Sequence, residues 1–345
     1  MFKVGIIGDG YTAADLLRLI DGHGGMEAVC VLSTEHVGRR IDHIYPQLTG
    51  FCSLVCEPSS VQALKGRCDA VFLALPHGLS VPMVKEILPM GIKCVDFGAD
   101  FRLKDTAVYE EYYELKHQGQ DILDEAVYGL PELYRDKIKQ TRIVANPGCY
   151  PTSAILPLAP LLKAGLLDIE GIIIDSKSGV TGAGREPKSS SHFCEVNEGL
   201  HAYGVGTHRH APEIAQELAI AAGKPVEMFF TPHLVPMNRG ILSTIYARLA
   251  PGAEPGDIRQ ALEAKYNEEP FVQVLPPGVM PHTKWVYGSN QVHIGIHVDE
   301  KRRMIILGSA IDNLTRGASG MALQNMNLVL GLEETQGLNF PGVHP

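Results

Sequence analysis

The chain has 345 residues, which is long enough for two domains with sizeable cores. Its net charge of -9 argues against a non-specific nucleic-acid binder, and its 45% of hydrophobic residues is typical of a folded globular protein. The seven cysteines are scattered without a CxxC pair, which argues against a disulfide framework or structural zinc. Because no apolar run approaches membrane-spanning length and no signal peptide precedes the first strand, we expect a soluble, cytoplasmic protein.

The first predicted strand, Lys3 to Gly8, leads into the sequence Gly8-Asp9-Gly10-Tyr11-Thr12-Ala13, which has the pattern G-x-G-x-x-A. Helical apolar spacing follows as far as Ile20. A strand, a glycine turn and a helix in this order are typical of a dinucleotide-binding site. Gly8 permits the tight turn, and Gly10 lets a pyrophosphate approach the backbone. We expect the phosphates of a dinucleotide to be bound by Gly8, Gly10, Tyr11 and Thr12.

The next predicted strand, Ala28 to Leu32, ends at hydroxyl side chains where NAD-specific sites usually carry a carboxylate. Ser33 and Thr34 follow it, and Arg39 and Arg40 come a few residues later. Hydroxyl groups and arginines suit the 2′-phosphate of NADP, whereas the carboxylate of Glu35 is the feature that favours NAD. We therefore favour NADP and expect contacts from Ser33 and Arg39. A solvated loop remains an equal alternative for the two arginines.

Two further strands, Ala70–Leu75 and Lys93–Phe97, flank a predicted helix from Ser80 to Leu88. Strands that alternate with helices predict a parallel, doubly wound sheet, which binds ligands beyond the carboxyl ends of its strands. Pro76 lies at one such end and is a candidate cofactor contact. Arg102 lies near another and is a candidate for binding an anionic substrate group, with an Asp100–Arg102 surface pair as the alternative. Residues 104–139 are predicted as a helical and loop excursion without chemistry.

The most informative stretch is a short strand, Ile143 to Ala145, that stops at the turn Asn146-Pro147-Gly148. Cys149 follows, and the apolar residues from Ser153 to Lys163 predict a helix. The unpaired N–H groups and the dipole at a helix N-terminus favour an anion, so a thiol there loses its proton more easily. We expect Cys149 to be a nucleophile. The alternative is a buried cysteine that acts as a small hydrophobe.

Beyond Cys149, a strand from Gly171 to Ser176 runs into a Gly/Ser loop, residues 177–185, which ends at Arg185. Its backbone N–H groups and cations form a candidate cradle for phosphate or carboxylate, but not a P-loop. His208 and His210 flank an arginine before a predicted helix near Pro212. Histidine titrates near neutral pH, so we expect His208 first, and His210 second, to transfer protons. The H-x-H spacing lacks a third ligand, so no metal is expected.

The rest of the chain is rich in predicted strands and ends in a predicted helix, Met321 to Leu330. Val292–Val298 and Arg303–Ala310 form a predicted antiparallel hairpin. We expect an NADP-binding domain at 1–148, to which 314–345 return. A catalytic and oligomerisation domain of α+β type is expected at 149–313. A β-rich second domain of this kind suggests a dimer or tetramer.

Four stretches carry a resemblance that covers essentially the whole chain: residues 97–103, 146–152, 176–185 and the sequence His208-Arg209-His210-Ala211-Pro212-Glu213. With them the chain resembles the N-acetyl-gamma-glutamyl-phosphate reductases of arginine biosynthesis. That family belongs with aspartate-semialdehyde dehydrogenase and phosphorylating glyceraldehyde-3-phosphate dehydrogenase. The His-Arg-His-x-Pro-Glu element points to the reductase rather than its cousins. One departure is the first glycine loop, which is one residue shorter than usual and ends in Ala13.

The resemblance implies a Rossmann-like first domain and a second domain like the C-terminal one of glyceraldehyde-3-phosphate dehydrogenase. It implies reduction of N-acetyl-L-glutamyl 5-phosphate by NADPH to the 5-semialdehyde, with a thioester on Cys149 and release of phosphate. It adds cofactor contacts from Ser178, Gly179 and Asn313, and substrate contacts from Arg102, Asn146, Arg185 and Glu213.

Three alternatives stay open at this point. One is a reductase of a related acyl phosphate, aspartyl phosphate or carrier-bound aminoadipyl phosphate. A second is a Cys-His hydrolase or acyltransferase, which would leave the glycine turn at Gly8 without a purpose. A third is a non-catalytic NADP-sensing protein, for which Cys149 and the two histidines would be superfluous.

Overall fold

The computed structural model describes residues 1–344. Its strands, in chain order, are β1 (Phe2–Ile7), β2 (Met26–Ser33), β3 (Cys56–Pro58), β4 (Ala70–Leu73), β5 (Lys93–Asp96), β6 (Ala126–Tyr128), β7 (Ile143–Ala145), β8 (Ile172–Ser178), β9 (His201–Ala202), β10 (Met228–Leu234), β11 (Ile241–Arg248), β12 (Val272–Val274), β13 (Val292–Asp299) and β14 (Met304–Ile311). Its α-helices are α1 (Tyr11–Ile20), α2 (Ile41–Ile44), α3 (Ser80–Ile87), α4 (Thr106–Tyr113), α5 (Pro131–Ile138), α6 (Cys149–Lys163), α7 (Phe193–Val196), α8 (Ala211–Ala222), α9 (Pro255–Tyr266) and α10 (Gly320–Leu330).

These elements form two compact units, which are described separately. The first unit consists of Met1–Gly148 and Ala318–Asn339, and the second consists of Cys149–Gly317 and the residues from Phe340 onward. Within residues 1–344, no helix is both long enough and apolar enough to cross a membrane.

The first unit contains a seven-stranded sheet in the order β3-β2-β1-β4-β5-β7-β6, with every neighbouring pair parallel. The predicted doubly wound parallel sheet is therefore confirmed. β4 and β7 are fully buried, and β1 is buried from Val4 to Ile7, as expected for strands that helices cover on both faces. β3 and β6 were not predicted, because they have three residues each and are too short to show a periodic pattern.

Gly8, directly after β1, shows why this turn requires glycine. Its φ of 110° lies in a region that side-chain-bearing residues rarely adopt, and a Cβ there would lie 2.1 Å from the Ala74 carbonyl oxygen. The chains leaving β1 and β4 approach each other at this point. In an open parallel sheet this is the switch point, where strand order reverses and ligands bind.

The second unit contains a mixed seven-stranded sheet in the order β12-β13-β14-β11-β8-β10-β9. β13 and β14 form the predicted antiparallel hairpin, in which Asp299 pairs with Met304 next to the turn. β8 is parallel to β10 and antiparallel to β11. The unit is of α+β type, as the sequence analysis predicted.

α6 lies against this sheet and carries two internal prolines, Pro157 and Pro160. Proline has no N–H, so the carbonyl group of Leu156, four residues before Pro160, loses its helical donor. The hydroxyl of Tyr266 replaces that donor at 2.5 Å. A chain of hydroxyl groups fixes the helix to the sheet, with Oγ–Oγ distances of 2.7 and 2.6 Å, through Ser153, Ser243 and Ser176.

One face of this sheet remains partly open. Along β8, buried residues alternate with exposed or half-buried ones, and Ile173 is 45% exposed. On the neighbouring β10, Phe229 is 59% exposed. Large apolar side chains on the open face of a sheet are typical of a surface that another chain covers.

Candidate active site

The loop between β1 and α1 has the geometry expected of a phosphate-binding turn. α1 begins at Tyr11, and Gly10 before it supplies no capping side chain. The first N–H groups of a helix lack intrahelical acceptors, so they favour an anion. A Cβ on Gly10 would meet no atom within 4 Å, so the space beside this turn is open. Gly8, Gly10, Tyr11 and Thr12 therefore fit the phosphates of a dinucleotide.

The Ser33 hydroxyl, at the end of β2, is already engaged in hydrogen bonds. It donates to an Asp9 carboxylate oxygen at 2.5 Å and accepts the N–H groups of Glu35 and His36. The His36 Nδ1 atom lies 2.7 Å from the same Asp9 oxygen. Asp9, Glu35 and His36 thus bring three potential metal ligands within 4.8 Å of one another, but the hydrogen bonds to Asp9 explain this grouping. Asp9, which was not a predicted site residue, joins the loop after β1 to the loop after β2 through these hydrogen bonds.

The two arginines near this loop differ in their surroundings. Arg40 makes a two-point ion pair with Asp42, with N–O distances of 3.0 and 2.6 Å, and its hydrogen bonds hold the pKa of Asp42 below its ordinary value. Arg39 is exposed. Because the Arg40 guanidinium is engaged with Asp42, Arg39 is the better candidate for binding a 2′-phosphate.

The residues beyond β4 and β5 are joined by buried and partly buried hydrogen bonds. After Pro76, the His77 Nδ1 atom accepts the N–H of Ala99 at 3.0 Å. Asp100 accepts two backbone N–H groups and the Tyr109 hydroxyl, with distances between 2.7 and 3.0 Å. The alternative of an Asp100–Arg102 surface pair is wrong, because these residues are only 1% and 5% exposed.

Arg102 and Asn146 support the turn that precedes Cys149. The Arg102 guanidinium donates to the carbonyl oxygens of Asn146 and Phe97 at 2.8 and 2.7 Å. The Asn146 amide group donates to the Ala318 carbonyl and accepts a hydrogen bond from Asn325, both at 3.1 Å. Both side chains are buried. Their predicted contacts with substrate stay a prediction.

Asp96, the last residue of β5, is a buried carboxyl group that the sequence analysis did not mark as a candidate. One of its oxygens accepts the Ser80 hydroxyl at 2.6 Å and the Gly98 N–H at 2.9 Å. Burial, followed by the nearby Asp100 charge, raises the pKa of Asp96 to about 7. Burial thus favours the neutral form of this carboxyl group.

Cys149 is the first residue of α6 and is partly exposed. The helix thus begins at the thiol itself, four residues before the predicted start at Ser153. N–H groups at a helix N-terminus stabilise a negative charge, and the thiolate is the reactive form of cysteine. A partly exposed thiol at this position fits the predicted nucleophile better than a buried hydrophobic cysteine, and its role stays a prediction.

A cluster of rings begins at the residue after the thiol. The cluster consists of Tyr150, Tyr203, His208, His210 and Phe230. The centres of neighbouring rings are 5.0 to 5.9 Å apart. The Tyr150 and Tyr203 hydroxyl groups are 2.9 Å apart. Burial raises the pKa of Tyr203 to about 12, and the Cys149 charge adds to that shift. Burial also raises the pKa of Tyr150, again with a contribution from Cys149. The structure therefore brings both predicted histidines together with two tyrosines, one of which directly follows Cys149 in the chain.

His208 is held in one tautomer by its surroundings. Its Nδ1 atom accepts the backbone N–H of His210 at 3.1 Å, so in the neutral ring the proton is on Nε2. Burial, followed by the Arg209 charge, lowers the pKa of His208 to about 4. The ring is therefore a neutral hydrogen-bond donor across the physiological pH range.

The other predicted residues of the second unit fall into two groups. Ser178 lies close enough to Tyr150 to lower its pKa through a hydrogen bond, and Asn313 bonds to the Gly240 N–H and to the Thr181 hydroxyl. Arg185 is exposed on the loop after β8, and Glu213 is buried in α8. Tyr150 and Tyr203 were missed by the sequence analysis, although the first directly follows the nucleophile.

Comparison with known proteins agrees with this architecture. Residues 3–141 match the model of the NAD-binding domain of semialdehyde dehydrogenase, and residues 149–313 match the model of its dimerisation domain. A structure of aspartate semialdehyde dehydrogenase II from Vibrio cholerae aligns with a TM-score of 0.73 at 15% identity, over 96% of this chain and 98% of that chain. A structure of aspartate semialdehyde dehydrogenase with NADP from Candida albicans aligns with a TM-score of 0.68 at 15% identity, over 96% and 98% of the two chains.

A much closer sequence relative comes from Moorella thermoacetica and is named N-acetyl-gamma-glutamyl-phosphate reductase. It is 50% identical over 346 aligned residues, which cover 100% of both chains. The chain therefore belongs to the N-acetyl-gamma-glutamyl-phosphate reductases, within the semialdehyde dehydrogenase family.

Proposed function

We propose that the chain reduces N-acetyl-L-glutamyl 5-phosphate to N-acetyl-L-glutamate 5-semialdehyde with NADPH, releasing phosphate, in arginine biosynthesis. The observation that carries the proposal is the position of Cys149 at the first residue of α6, followed immediately by the tyrosine–histidine cluster. The named relative at 50% identity supports the substrate. The NAD-binding domain model that matches residues 3–141 supports a nicotinamide cofactor.

In the proposed reaction, the Cys149 thiolate attacks the acyl phosphate and forms a carbon–sulfur bond while the carbon–oxygen bond to phosphate breaks. The resulting thioester is a better hydride acceptor than a carboxylate, so one difficult step becomes two easier ones. After reduction, the hemithioacetal loses its proton and collapses to the aldehyde, which returns the thiolate. NADPH, when bound, supplies the hydride.

The two histidines have different roles in this proposal, namely hydrogen-bond donation and proton transfer. The Nε2–H of His208 is suited to donate a hydrogen bond to the substrate oxygen that becomes negative, since such donors stabilise developing charge. The proton transfer that the sequence analysis assigned first to His208 passes to His210. Its ring lies 5.0 Å from His208 and 5.9 Å from Tyr150, centre to centre.

In the first unit, we propose that Gly8, Gly10, Tyr11 and Thr12 hold the pyrophosphate of NADP. Arg39 is the proposed contact for the 2′-phosphate, and Ser33 orders the loop through Asp9. The roles assigned from the sequence to the remaining residues stay predictions: Pro76, Arg102, Asn146, Ser178, Gly179, Arg185, Glu213 and Asn313.

A substrate comparison in the reverse direction tests this function. With phosphate and NADP, we expect kcat/KM for N-acetylglutamate 5-semialdehyde to exceed that for aspartate semialdehyde by about 100-fold or more, as for sites that bind a polar substrate group specifically. NADP is expected to exceed NAD by about tenfold or more, and Arg39→Ala should reduce that preference, with exposed Lys65→Ala as control. A preference for aspartate semialdehyde would assign the chain to the neighbouring reaction, and equal use of both coenzymes would contradict the role of Arg39.

We also propose that the protein assembles through the open face of the second unit's sheet. The matched model is a dimerisation domain, and Ile173 and Phe229 expose apolar surface on that face. We expect a dimer or tetramer in sedimentation equilibrium at micromolar concentration, and Phe229→Asp should lower the measured mass. A monomeric wild-type protein would contradict this proposal.

We further propose that the protein works in the cytoplasm, without a membrane or nucleic-acid partner. None of the seven cysteines, all within residues 1–344, forms a disulfide, which suits a reducing compartment. The first unit is proposed as the cofactor domain and the second as the catalytic and oligomerisation domain. The predicted boundaries, 1–148 with 314–345 and 149–313, stay proposals in the same way.

A further inference from the structure

The segment after β14 passes in direct contact with the nucleophile. A Cβ built on Gly317 would lie 2.7 Å from the Cβ of Cys149 and 3.2 Å from its Cα. Real Cβ atoms essentially never approach so closely. The φ of Gly317 is not in the left-handed region, so glycine is required here for space and not for backbone conformation. The backbone at 317 therefore borders the position of the Cys149 side chain.

Asp312 fixes the backbone conformation of the segment after β14. One carboxylate oxygen accepts the N–H groups of Leu314 and Thr315 at 2.9 and 2.8 Å, and the other accepts the N–H of Gly288 at 2.7 Å. The Asp312 carbonyl accepts the N–H of Gly317 at 2.9 Å. The side chain is fully buried. One residue thus fixes both the bend of the segment and the place of Gly317.

Arg239 supplies the opposing charge. Its guanidinium donates to the Asp312 carboxylate from Nε and Nη2 at 3.2 and 2.9 Å, and to the Thr315 hydroxyl at 2.7 Å. It also lies 5.6 Å from the centre of the Tyr287 ring. Only 16% of the Arg239 side chain is exposed, so the pair is shielded from water and its geometry is fixed by several bonds.

We propose that Asp312 and Arg239 are positioning residues that hold Gly317 against Cys149 and so fix the orientation of the nucleophile. A thiol whose Cβ is confined samples fewer conformations, and a small displacement of a reacting atom is enough to slow an otherwise intact enzyme. The inference rests on the proposed function, because Asp312 and Arg239 have no positioning role in catalysis if Cys149 is not the nucleophile.

Gly317→Ala tests the contact directly. We expect kcat to fall about 10- to 100-fold while KM changes less than about threefold. The substrate contacts remain in this variant, whereas the geometry of attack by the Cys149 thiolate is altered. The rate of Cys149 alkylation by iodoacetamide, followed by peptide mapping across pH 5 to 9, should change as well. The matched control is Gly256→Ala in α9, because a Cβ there meets nothing within 4 Å. It should leave kcat and alkylation unchanged.

Arg239→Lys provides the second test, since it keeps the charge but loses the planar, multi-point contact with Asp312 and Thr315. We expect it to lower kcat and alter the alkylation profile in the same direction as Gly317→Ala. If Gly317→Ala does not fold, this variant decides. Unchanged kcat and alkylation in a folded variant would overturn the positioning role even if Cys149 proves essential. An active Cys149→Ser enzyme would instead remove the proposed function itself.

Discussion

Replacing Cys149 with serine is expected to lower turnover about 1,000-fold or more while leaving the fold intact. A serine hydroxyl stays protonated at neutral pH, so the N-terminus of α6 would no longer present an anionic nucleophile. An ester formed on serine would also accept hydride less readily than a thioester, and an alkoxide is a poorer leaving group than a thiolate. The measurement is steady-state reduction of N-acetylglutamyl phosphate, together with the thermal unfolding midpoint.

Cys194→Ser is the matched control, because it makes the same change at an exposed cysteine of the second unit. It should retain wild-type turnover. Near-normal activity in Cys149→Ser would show that the sulfur is not the reacting atom. A large drop in the unfolding midpoint of Cys149→Ser would make lost structure the cause, and Cys149→Ala would then separate the two effects.

Replacing His208 with alanine is expected to lower kcat by about 100- to 1,000-fold, which is the usual effect of removing one donor to a developing oxyanion. His208→Gln should recover part of this loss, because the glutamine amide can place an N–H near the position of the imidazole Nε2–H. His210→Gln should lose kcat without any such partial recovery, because an amide cannot transfer a proton at neutral pH. The assay is kcat and kcat/KM for the three variants.

The pH dependence of the same enzymes gives an independent test. The lowered pKa of His208, about 4, keeps its ring neutral from pH 5.5 to 8. Its protonation therefore contributes no acid limb near pH 6.5 to kcat/KM, and His208→Gln should leave the acid limb of the profile where it is. The control is His282→Gln, since the exposed His282 also accepts the N–H of the second residue after it. Loss of the acid limb in His208→Gln alone would restore His208 as the acid/base residue.

Local chemistry made much of the fold and part of the site predictable. Gly8 needs a conformation and a clearance that only glycine has, so its place after an apolar strand was a direct signal. Cys149 stood between a turn signal and an apolar stretch. The two histidines lie two residues apart on the chain, so they had to be close in space.

The features that the sequence did not reveal depend on contacts between distant parts of the chain. The hydroxyl groups of Tyr150 and Tyr203 contact each other although the residues are 53 positions apart in the sequence. Arg239 donates to Asp312, which is 73 positions away. Neither pair leaves a periodic pattern or a spacing that could be recognised in advance. Arg102 shows a related limit, because the sequence indicated a cation at this position but not the carbonyl groups of Phe97 and Asn146 to which its guanidinium donates.

The central claim is that the Cys149 sulfur carries the acyl group during turnover. The most direct test is mass spectrometry of the full-length enzyme treated with N-acetylglutamyl phosphate in the absence of NADPH, followed by peptide mapping. We predict one N-acetylglutamyl group per chain, on the peptide that contains Cys149. Hydroxylamine should release it as the hydroxamate, and in a separate sample NADPH should release it as the aldehyde. An acyl group on another residue, or an active enzyme in which Cys149 is never acylated, would contradict the account.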